Sequence, residues 1–282
     1  MTAAEWRQTT IAFPDPHTAE QAARTHLAPI LAEAEARHLI TTWFYVRKGN
    51  WRLRYLPASD EADRYLSSQM ARLQHDRRLS AAVPGIYEPE THAFGGPDAM
   101  DTAHHLWHHD SRHLLTHSTN HTFARQRELS IMLSAAMMRA AGLDWYEQGD
   151  VWARVTDHRD PPEPARFDAL RNAVRRLLTV DPASLTRQGA PLAGCHNTLF
   201  EAYMSAGDIL CRLNQAGQLH RGLRATLAHH VIFTWNRRGI PGLHQAALAT
   251  AAKTIIFGPD PAFHPLTPGG DSWTRPLPAD SR

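Results

Sequence analysis

The fold is decided by the segment from residue 43 to residue 55, which reads WFYVRKGNWRLRY. Two runs of aromatic and β-branched residues flank a turn at Gly49, and this composition is typical of a β-hairpin. Residues two apart in a strand share one face. The hairpin therefore carries Arg52 and Arg54 on one face and three large residues on the other: Trp51, Leu53 and Tyr55.

The segments around the hairpin predict a sheet with two helices. The order of elements is β-α-β-β-α-β, which is that of the ferredoxin-like fold. The predicted elements outside the hairpin are a strand at 6–13, a helix at 18–39, a helix at 61–77 and a strand at 83–88. Thr18 and Gln21 form a capping-box pattern at the start of the first helix, and Pro29 is expected to kink that helix.

The chain beyond residue 97 has a helical pattern. Candidate helices cover residues 97–118, 122–141, 147–158, 164–179, 196–216, 219–235 and 242–257. The predicted fold class is therefore α+β, with the ferredoxin-like sheet first and a mostly helical half after it. We expect one domain over residues 1–258, followed by a loosely ordered, Pro-rich tail at 259–282.

Composition limits the class of partner. The 282 residues include 30 Lys and Arg against 28 Asp and Glu, so the formal charge of +2 offers no general attraction for nucleic acid. The sequence contains no run of about 18 apolar residues, so it does not predict a membrane span. The two cysteines form neither a disulfide framework nor a metal motif. We expect a cytoplasmic protein whose direct partner is neither nucleic acid nor a membrane.

The Arg-bearing face of the hairpin is a candidate anion site. Arg47 lies on the strand next to the one that carries Arg52 and Arg54. Neighbouring guanidinium groups repel one another unless an anion neutralises them, and the planar guanidinium fork suits a carboxylate or a phosphate. A solvated sheet face paired with local acids is the alternative interpretation.

A second candidate segment runs from Tyr87 to Gly96 and reads YEPETHAFGG. Its Gly-Gly pair permits backbone conformations that other residues avoid. Glu88, Glu90 and His92 are groups that transfer protons or bind substrate when the fold places them near it. A plain loop with turn chemistry is the alternative interpretation.

Seven histidines lie between residues 104 and 121, and five of them recur at intervals of four. Neighbouring pairs at this interval can chelate a metal from one face of a helix. The row drifts around the helix, however, because four residues advance the chain by about 400°. The pairs also lack an intervening Glu and a nearby Cys. We therefore predict that the row holds no metal.

The end of one predicted helix reads HHVIFTWNRRG from His229 to Gly239. Arg237 near a helix C-terminus is explained by the helix dipole, and Gly239 by its role in ending the helix. A pair of histidines about two turns before Asn236 is also a place to look for a general base.

In combination these segments resemble a known family. They occur in the order seen in the thiopeptide-type bacteriocin biosynthesis domain: WFYVR at 43–47, WRLR at 51–54, Tyr87-Glu88, FGG at 94–96, Asp110-Ser111 and Asn236-Arg237. That domain is similar to the C-terminal part of class I lanthipeptide dehydratases. The resemblance extends from Trp6 to about Gly258.

The resemblance implies a tailoring enzyme that acts on ribosomally made peptides. In such dehydratases a separate domain glutamylates Ser or Thr of a precursor peptide with glutamyl-tRNA, and this domain eliminates glutamate to leave a dehydroamino acid. The implied partners are a precursor peptide and a separate glutamylating enzyme, and no cofactor is implied. The expected catalytic residues are Arg52, Arg54, His92 and His230, and the expected substrate-binding residues are Arg47, Glu88, Glu90 and Arg237.

Two positions depart from the family pattern. The family often has an Arg in the segment before the Gly-Gly pair, where this chain has Pro89, His92 and Ala93. Its catalytic His commonly lies four residues before the Asn of the Asn-Arg pair, and that position is Ile232 here. The two adjacent histidines of this helix lie slightly upstream of it.

Three functions are therefore consistent with the sequence. Glutamate elimination is the first, because the chain keeps the Arg-rich hairpin that would hold the leaving glutamate. Related stand-alone members instead close the pyridine ring of thiopeptides by a formal cycloaddition of two dehydroalanines, which is the second. A non-catalytic module that presents the precursor to a partner is the third. The sequence is also compatible with a homodimer.

Overall fold

The computed structural model describes residues 5–116, 123–162, 170–181, 184 and 195–258. Its architecture is α+β: a four-stranded antiparallel sheet forms the N-terminal part, and helices form most of the rest. This confirms the predicted fold class. The expected Pro-rich tail at 259–282 lies outside the described residues.

The sheet has the ferredoxin-like strand order. Its strands are β1 (Arg7–Ala12), β2 (Ile40–Lys48), β3 (Asn50–Pro57) and β4 (Ala81–Gly85). The spatial order is β2-β3-β1-β4, and every neighbouring pair is antiparallel. Gly49 makes the turn between β2 and β3 with a φ of +71°, a left-handed conformation that glycine adopts without strain. The predicted hairpin is confirmed.

Three helices pack on one face of this sheet: α1 (Ala19–Ala22), α2 (Ala28–Ala36) and α3 (Glu61–His75). A π-helical stretch at Ala23–Leu27 joins the first two. It lies just before Pro29, whose missing N–H cannot continue the α-helical ladder. The predicted capping box is wrong, because the Thr18 hydroxyl donates to Asp15 rather than accepting from the helix start.

The two faces of the hairpin pack against different layers. The face that carries Trp51 is buried against helices α1 to α3. The other face, which includes Phe44 and Val46, belongs to the core of the helical half. Arg52 pairs across the hairpin with Val46, and Arg54 pairs with Phe44. Both guanidinium groups therefore lie on the side of the sheet that faces the helical half, as the strand period predicts.

Seven helices of the helical half are described: α4 (Pro97–Thr116), α5 (Phe123–Ala140), α6 (Trp145–Thr156), α7 (Arg171–Thr179), α8 (Cys195–Gln215), α9 (Leu223–Arg237) and α10 (Gly242–Phe257). Each coincides with a predicted helix, although the ends differ by several residues. Part of the helix predicted at 164–179 lies outside the described residues. None of the described helices is both long and apolar enough to cross a bilayer.

Helix α4 lies against β2, which is an edge strand of the sheet. The backbone N–H of Trp43 donates to Nδ1 of His108 at 3.3 Å, and that of Tyr45 donates to the hydroxyl of Ser111, also at 3.3 Å. Unpaired backbone groups on an edge strand are costly when buried. The side chains of α4 satisfy them, and this contact joins the sheet to the helical half.

Candidate active site

A cavity of about 590 Å³ lies between the hairpin and the helical half. Strands β2 and β3 and helices α9 and α10 supply most of its wall. Its charged and titratable lining includes Arg47, Arg52, Arg54, Glu90, Arg159 and His229. The volume lies in the range of small-molecule sites, and the arginines outnumber the single acid of the wall.

Arg54 is buried in this wall without an acidic partner. Its guanidinium carbon lies 4.1 Å from the ring centre of Tyr87 and 5.5 Å from that of Phe44, and its Nε donates to the amide oxygen of Gln8 at 2.8 Å. The residue is 8% exposed, and burial lowers its pKa from the usual arginine value. No carboxylate in the described ranges forms an ion pair with it. Glu90 of the same wall acts on Arg54 through space, but no ion pair in the described ranges holds the guanidinium, so an anion in the cavity would meet a fixed positive charge.

The aromatic support under Arg54 is itself fixed. The hydroxyl of Tyr87 and Nε2 of His104 are 2.9 Å apart, and the ring of Trp6 lies 4.3 Å from the His104 ring. Burial lowers the pKa of His104 to about 3. The neutral imidazole therefore accepts the hydrogen bond of the phenol. This chain of contacts sets the position of the Arg54 guanidinium.

Arg52 and Arg47 differ in how their charges are compensated. Arg52 has no ion-pair partner among the residues that the structure describes. Arg47 pairs across the hairpin with Trp51, on the opposite face of the strands, and its guanidinium carbon lies 4.5 Å over that ring. It is also ion-paired with Glu20 at 2.7 Å. Arg47 therefore borders the cavity with its guanidinium held by Glu20, a carboxylate that Arg24 also contacts, whereas Arg52 and Arg54 remain available to an anion.

A hydrogen-bonded chain orients Asn236 at the cavity wall. Nε of Arg159 donates to Oε1 of Gln245 at 3.0 Å, and Nε2 of Gln245 donates to Oδ1 of Asn236 at 3.1 Å. Because the oxygen of Asn236 is occupied, its amide NH₂ is left to donate into the cavity. Arg159 adds a further cation with no ion-pair partner in the described part of the chain.

His229 is the histidine of α9 that lines the cavity. Its Nδ1 lies 3.2 Å from the carbonyl oxygen of Ala225. This contact assigns the ring proton to Nδ1 and leaves Nε2 with a free lone pair. Burial is the largest of the influences that lower the pKa of His229 from 6.5. The imidazole is therefore neutral at neutral pH and can accept a proton.

His230 does not reach the cavity. It is fully buried, and its ring centre lies 5.0 Å from that of Phe94. Burial, with a smaller contribution from Arg237, lowers its pKa to about 3. His230 is the residue of this pair that the sequence predicts as catalytic, although the helical period favours His229. His229 precedes Asn236 by seven residues, two turns on the same face, whereas His230 precedes it by six.

Of the three candidate residues in the loop after β4, Glu90 alone is among the cavity's lining residues. Glu88 and His92 are exposed and do not contribute to that lining. Gly95 in the same loop has a φ of +96°, and its carbonyl accepts a hydrogen bond from the His220 N–H at 2.9 Å. The loop is thereby attached to the turn that precedes α9.

Arg237 lies in the core rather than in the cavity wall. Its Nε donates to Asp110 at 2.7 Å, and Arg238 donates to both oxygens of the same carboxylate at 2.9 and 2.6 Å. All three side chains are fully buried. Burial alone would raise the pKa of Asp110, but the two arginines hold it at about 2. This charge cluster joins α4 to the end of α9, the helix that carries His229.

Three of the five histidines of α4 pack inside the fold, whereas His105 and His109 are exposed. His104 and His113 are buried, and Nε2 of His108 lies 3.4 Å from a carboxylate oxygen of Glu35. In the described ranges, no group of three or more His, Cys, Asp or Glu side chains is placed to hold a metal ion. His117 and His121, the last two of the row, lie outside the described residues.

The fold resembles two solved structures. One is the tRNA-dependent lantibiotic dehydratase MibB from Microbispora sp. 107891, with a TM-score of 0.62 and 17% identity over 91% of this chain and 28% of that one. The other is TsrL, with a TM-score of 0.60 and 14% identity over 89% of this chain and 94% of that one. At these identities the likeness shows a shared fold. The chain spans about a quarter of MibB and nearly all of TsrL.

The sequence also matches a protein family over most of its length. No curated protein matches the chain. Residues 6–256 match the family described as the C-terminal part of the lantibiotic biosynthesis dehydratase. The match includes the whole sheet, the cavity and helices α4 to α9. This chain therefore belongs to the family of lantibiotic biosynthesis dehydratase C-terminal domains.

Proposed function

We propose that this chain eliminates glutamate from glutamylated Ser or Thr residues of a precursor peptide and leaves dehydroamino acids. One observation carries the proposal: Arg54 is buried beside Arg52 in the wall of a cavity of about 590 Å³, and neither has an ion-pair partner in the described ranges. Buried cations without partners are costly unless a ligand compensates them. The cavity is therefore suited to an anionic group of small size.

The leaving group of this reaction meets that requirement. When the bond between the side-chain oxygen and Cβ breaks, the ester of glutamate becomes a free carboxylate. The leaving glutamate then carries two carboxylates. Guanidinium groups fixed before the reaction stabilise such developing charge most effectively when water is excluded. We assign Arg52 and Arg54 to this role.

The base that starts the elimination is His229 in this proposal. Its Nε2 takes the α proton of the glutamylated residue, the electrons of that C–H bond form the Cα–Cβ double bond, and the Cβ–O bond breaks to release glutamate. The proton on His229 is later lost to water. His229 lies one turn before Ile232, and both line the cavity. The imidazole of His229 can therefore enter the part of the cavity that a histidine at position 232 would occupy.

Two further wall residues fit the substrate. Glu90 is suited to the free α-ammonium group of a glutamyl ester that is made from glutamyl-tRNA. The amide NH₂ of Asn236 is suited to a peptide carbonyl. Arg47 and Arg237 support the wall, since ion pairs with Glu20 and Asp110 hold their guanidinium groups. A separate glutamyl-tRNA-dependent enzyme supplies the glutamylated precursor.

The test uses a peptide with a chemically prepared glutamyl ester on one serine, incubated with the wild-type chain and followed by mass spectrometry. We expect loss of glutamic acid and one dehydroalanine, which a thiol traps. The same peptide with an acetyl ester is the matched control and should react far more slowly. Binding without a mass change would contradict the proposal. So would conversion of a peptide with two dehydroalanines to a six-membered nitrogen ring while the glutamyl ester stays intact.

A further inference from the structure

A cation, the guanidinium of Arg221, lies directly against the His229 ring. The Nη1 atom of Arg221 is 3.2 Å from Nδ1 and 3.4 Å from Nε2 of the imidazole. An approach in the ring plane at nearly equal distances from both nitrogens would collide with the carbon atom between them. The guanidinium therefore lies over the ring face, and the in-plane lone pair of Nε2 remains free.

The same guanidinium connects two segments of the site. Its Nη1 also donates to the carbonyl oxygen of Ala93 at 3.2 Å, three residues after Glu90. Next to this contact, a Cβ on Gly95 would lie 3.0 Å from the side chain of Leu219. The turn before α9 is therefore packed closely against the loop that carries Glu90, and Arg221 is the side chain that bridges both to the imidazole.

We propose that Arg221 is a positioning residue of this site, which holds the His229 ring beside the Ala225 carbonyl and keeps its Nε2 lone pair available for a proton. The benefit to catalysis rests on the proposed function, in which His229 removes the α proton. A positive charge over the ring opposes a second positive charge on it. In accord with this, the pKa of His229 is lowered first by burial and then by Arg221 and His158, while the bond to Ala225 acts in the opposite direction.

The charged and titratable groups around His229 come from several elements. Arg221 lies in the turn before α9, His230 is the next residue of the helix, and His158 follows α6 with its ring centre 5.3 Å away. The cavity wall also carries Arg47, Arg52, Arg54, Glu90 and Arg159. Of the cations in this described set, Arg221 is the one in contact with the ring.

The test is an NMR titration of His229 in the full chain, which does not depend on catalysis. The chain has 19 histidines, so His229→Gln identifies the resonance. Arg221→Gln, with Arg221→Met as a second neutral variant, should raise the pKa of His229. The same variants should move the acidic limb of the elimination rate to higher pH. Arg221→Lys keeps the charge and should keep both properties close to the wild type.

Arg224→Gln is the matched control. It removes the same charge three residues away, where Arg224 pairs with Glu147 and Asp150, and it should change neither property. A His229 pKa that stays unchanged in both neutral variants overturns the proposal, and so does an equal rise in Arg224→Gln. If the titration follows the expected pattern in a protein that does not eliminate glutamate, the positioning by Arg221 is supported and the proposed function is not.

Discussion

His229 and Asn236 lie two helical turns apart on one face of α9, and both border the cavity. Seven residues advance a helix by about 700°, close to two full turns. His230 is rotated by about 100° from His229 and packs against Phe94 instead. The helix thus presents one imidazole to the cavity and buries the other in the core.

The two histidines should differ sharply when each is replaced. His229→Gln removes the proposed base, and we expect the single-turnover rate of glutamate loss to fall by about 100-fold or more. His230→Gln leaves the cavity wall intact, and its rate should stay within a few fold of the wild type at a temperature where the variant is folded. A larger loss of rate in His230→Gln than in His229→Gln would show that His229 is not the base.

The pH dependence of elimination should report the state of His229. A base must be neutral to act, so the rate should rise with pH through the pKa of His229 and then level off. Burial lowers that pKa from 6.5, so the midpoint of the acidic limb should lie below pH 6.5. A pH–rate profile of single-turnover kinetics measures it. A midpoint above pH 6.5 would show that another group controls the rate.

Local patterns in the sequence predict the hairpin faces because side chains alternate along a strand wherever it lies. The same patterns place Arg52 and Arg54 together. They do not reveal that Arg47 is ion-paired with Glu20 or that Arg237 is ion-paired with Asp110, because these partners lie far away in the chain. Burial of His230 and exposure of His92 likewise depend on how α9 and the loop after β4 pack. Packing between segments that are distant in the chain therefore decides which of several chemically similar residues line the cavity.

The buried charge cluster should dominate the stability of the helical half. Asp110→Asn leaves two arginines in the core without a counter-ion, and we expect a loss of about 3–5 kcal/mol in the free energy of unfolding. Asp101→Asn, on the same helix with a side chain 77% exposed, is the control and should change little. Chemical denaturation measures both. A small effect of Asp110→Asn would mean that water or rearrangement compensates the arginines.

Acid should destabilise the protein through the same carboxylate. The pKa of Asp110 is lowered from 3.8 to about 2 in the fold, so the unfolded chain binds more protons between these values. Its contribution to stability is present above about pH 4 and is lost as the pH falls toward 2. The wild type should therefore lose more stability over this interval than Asp110→Asn. Equal losses would contradict the lowered pKa.

The ring of Tyr87, which lies against the Arg54 guanidinium, should affect the elimination rate more than its hydroxyl does. Tyr87→Phe keeps the ring face and loses the bond to His104, whereas Tyr87→Leu loses both. A cation–π contact contributes about 0.5–2 kcal/mol, so we expect Tyr87→Leu to slow elimination about tenfold and Tyr87→Phe to have a smaller effect. Steady-state kinetics should show the loss in kcat rather than in KM. Equal rates for both variants would show that the ring does not position Arg54.

Single-turnover kinetics on a glutamylated peptide test most directly whether Arg52 and Arg54 hold the leaving glutamate. Loss of one donor to a developing anion costs on the order of 100-fold in rate. We therefore expect Arg52→Ala and Arg54→Ala to slow glutamate loss by about that factor while peptide binding is largely retained. Arg64→Ala, at an exposed position of α3, should react like the wild type. Wild-type rates in both cavity variants would contradict the claim.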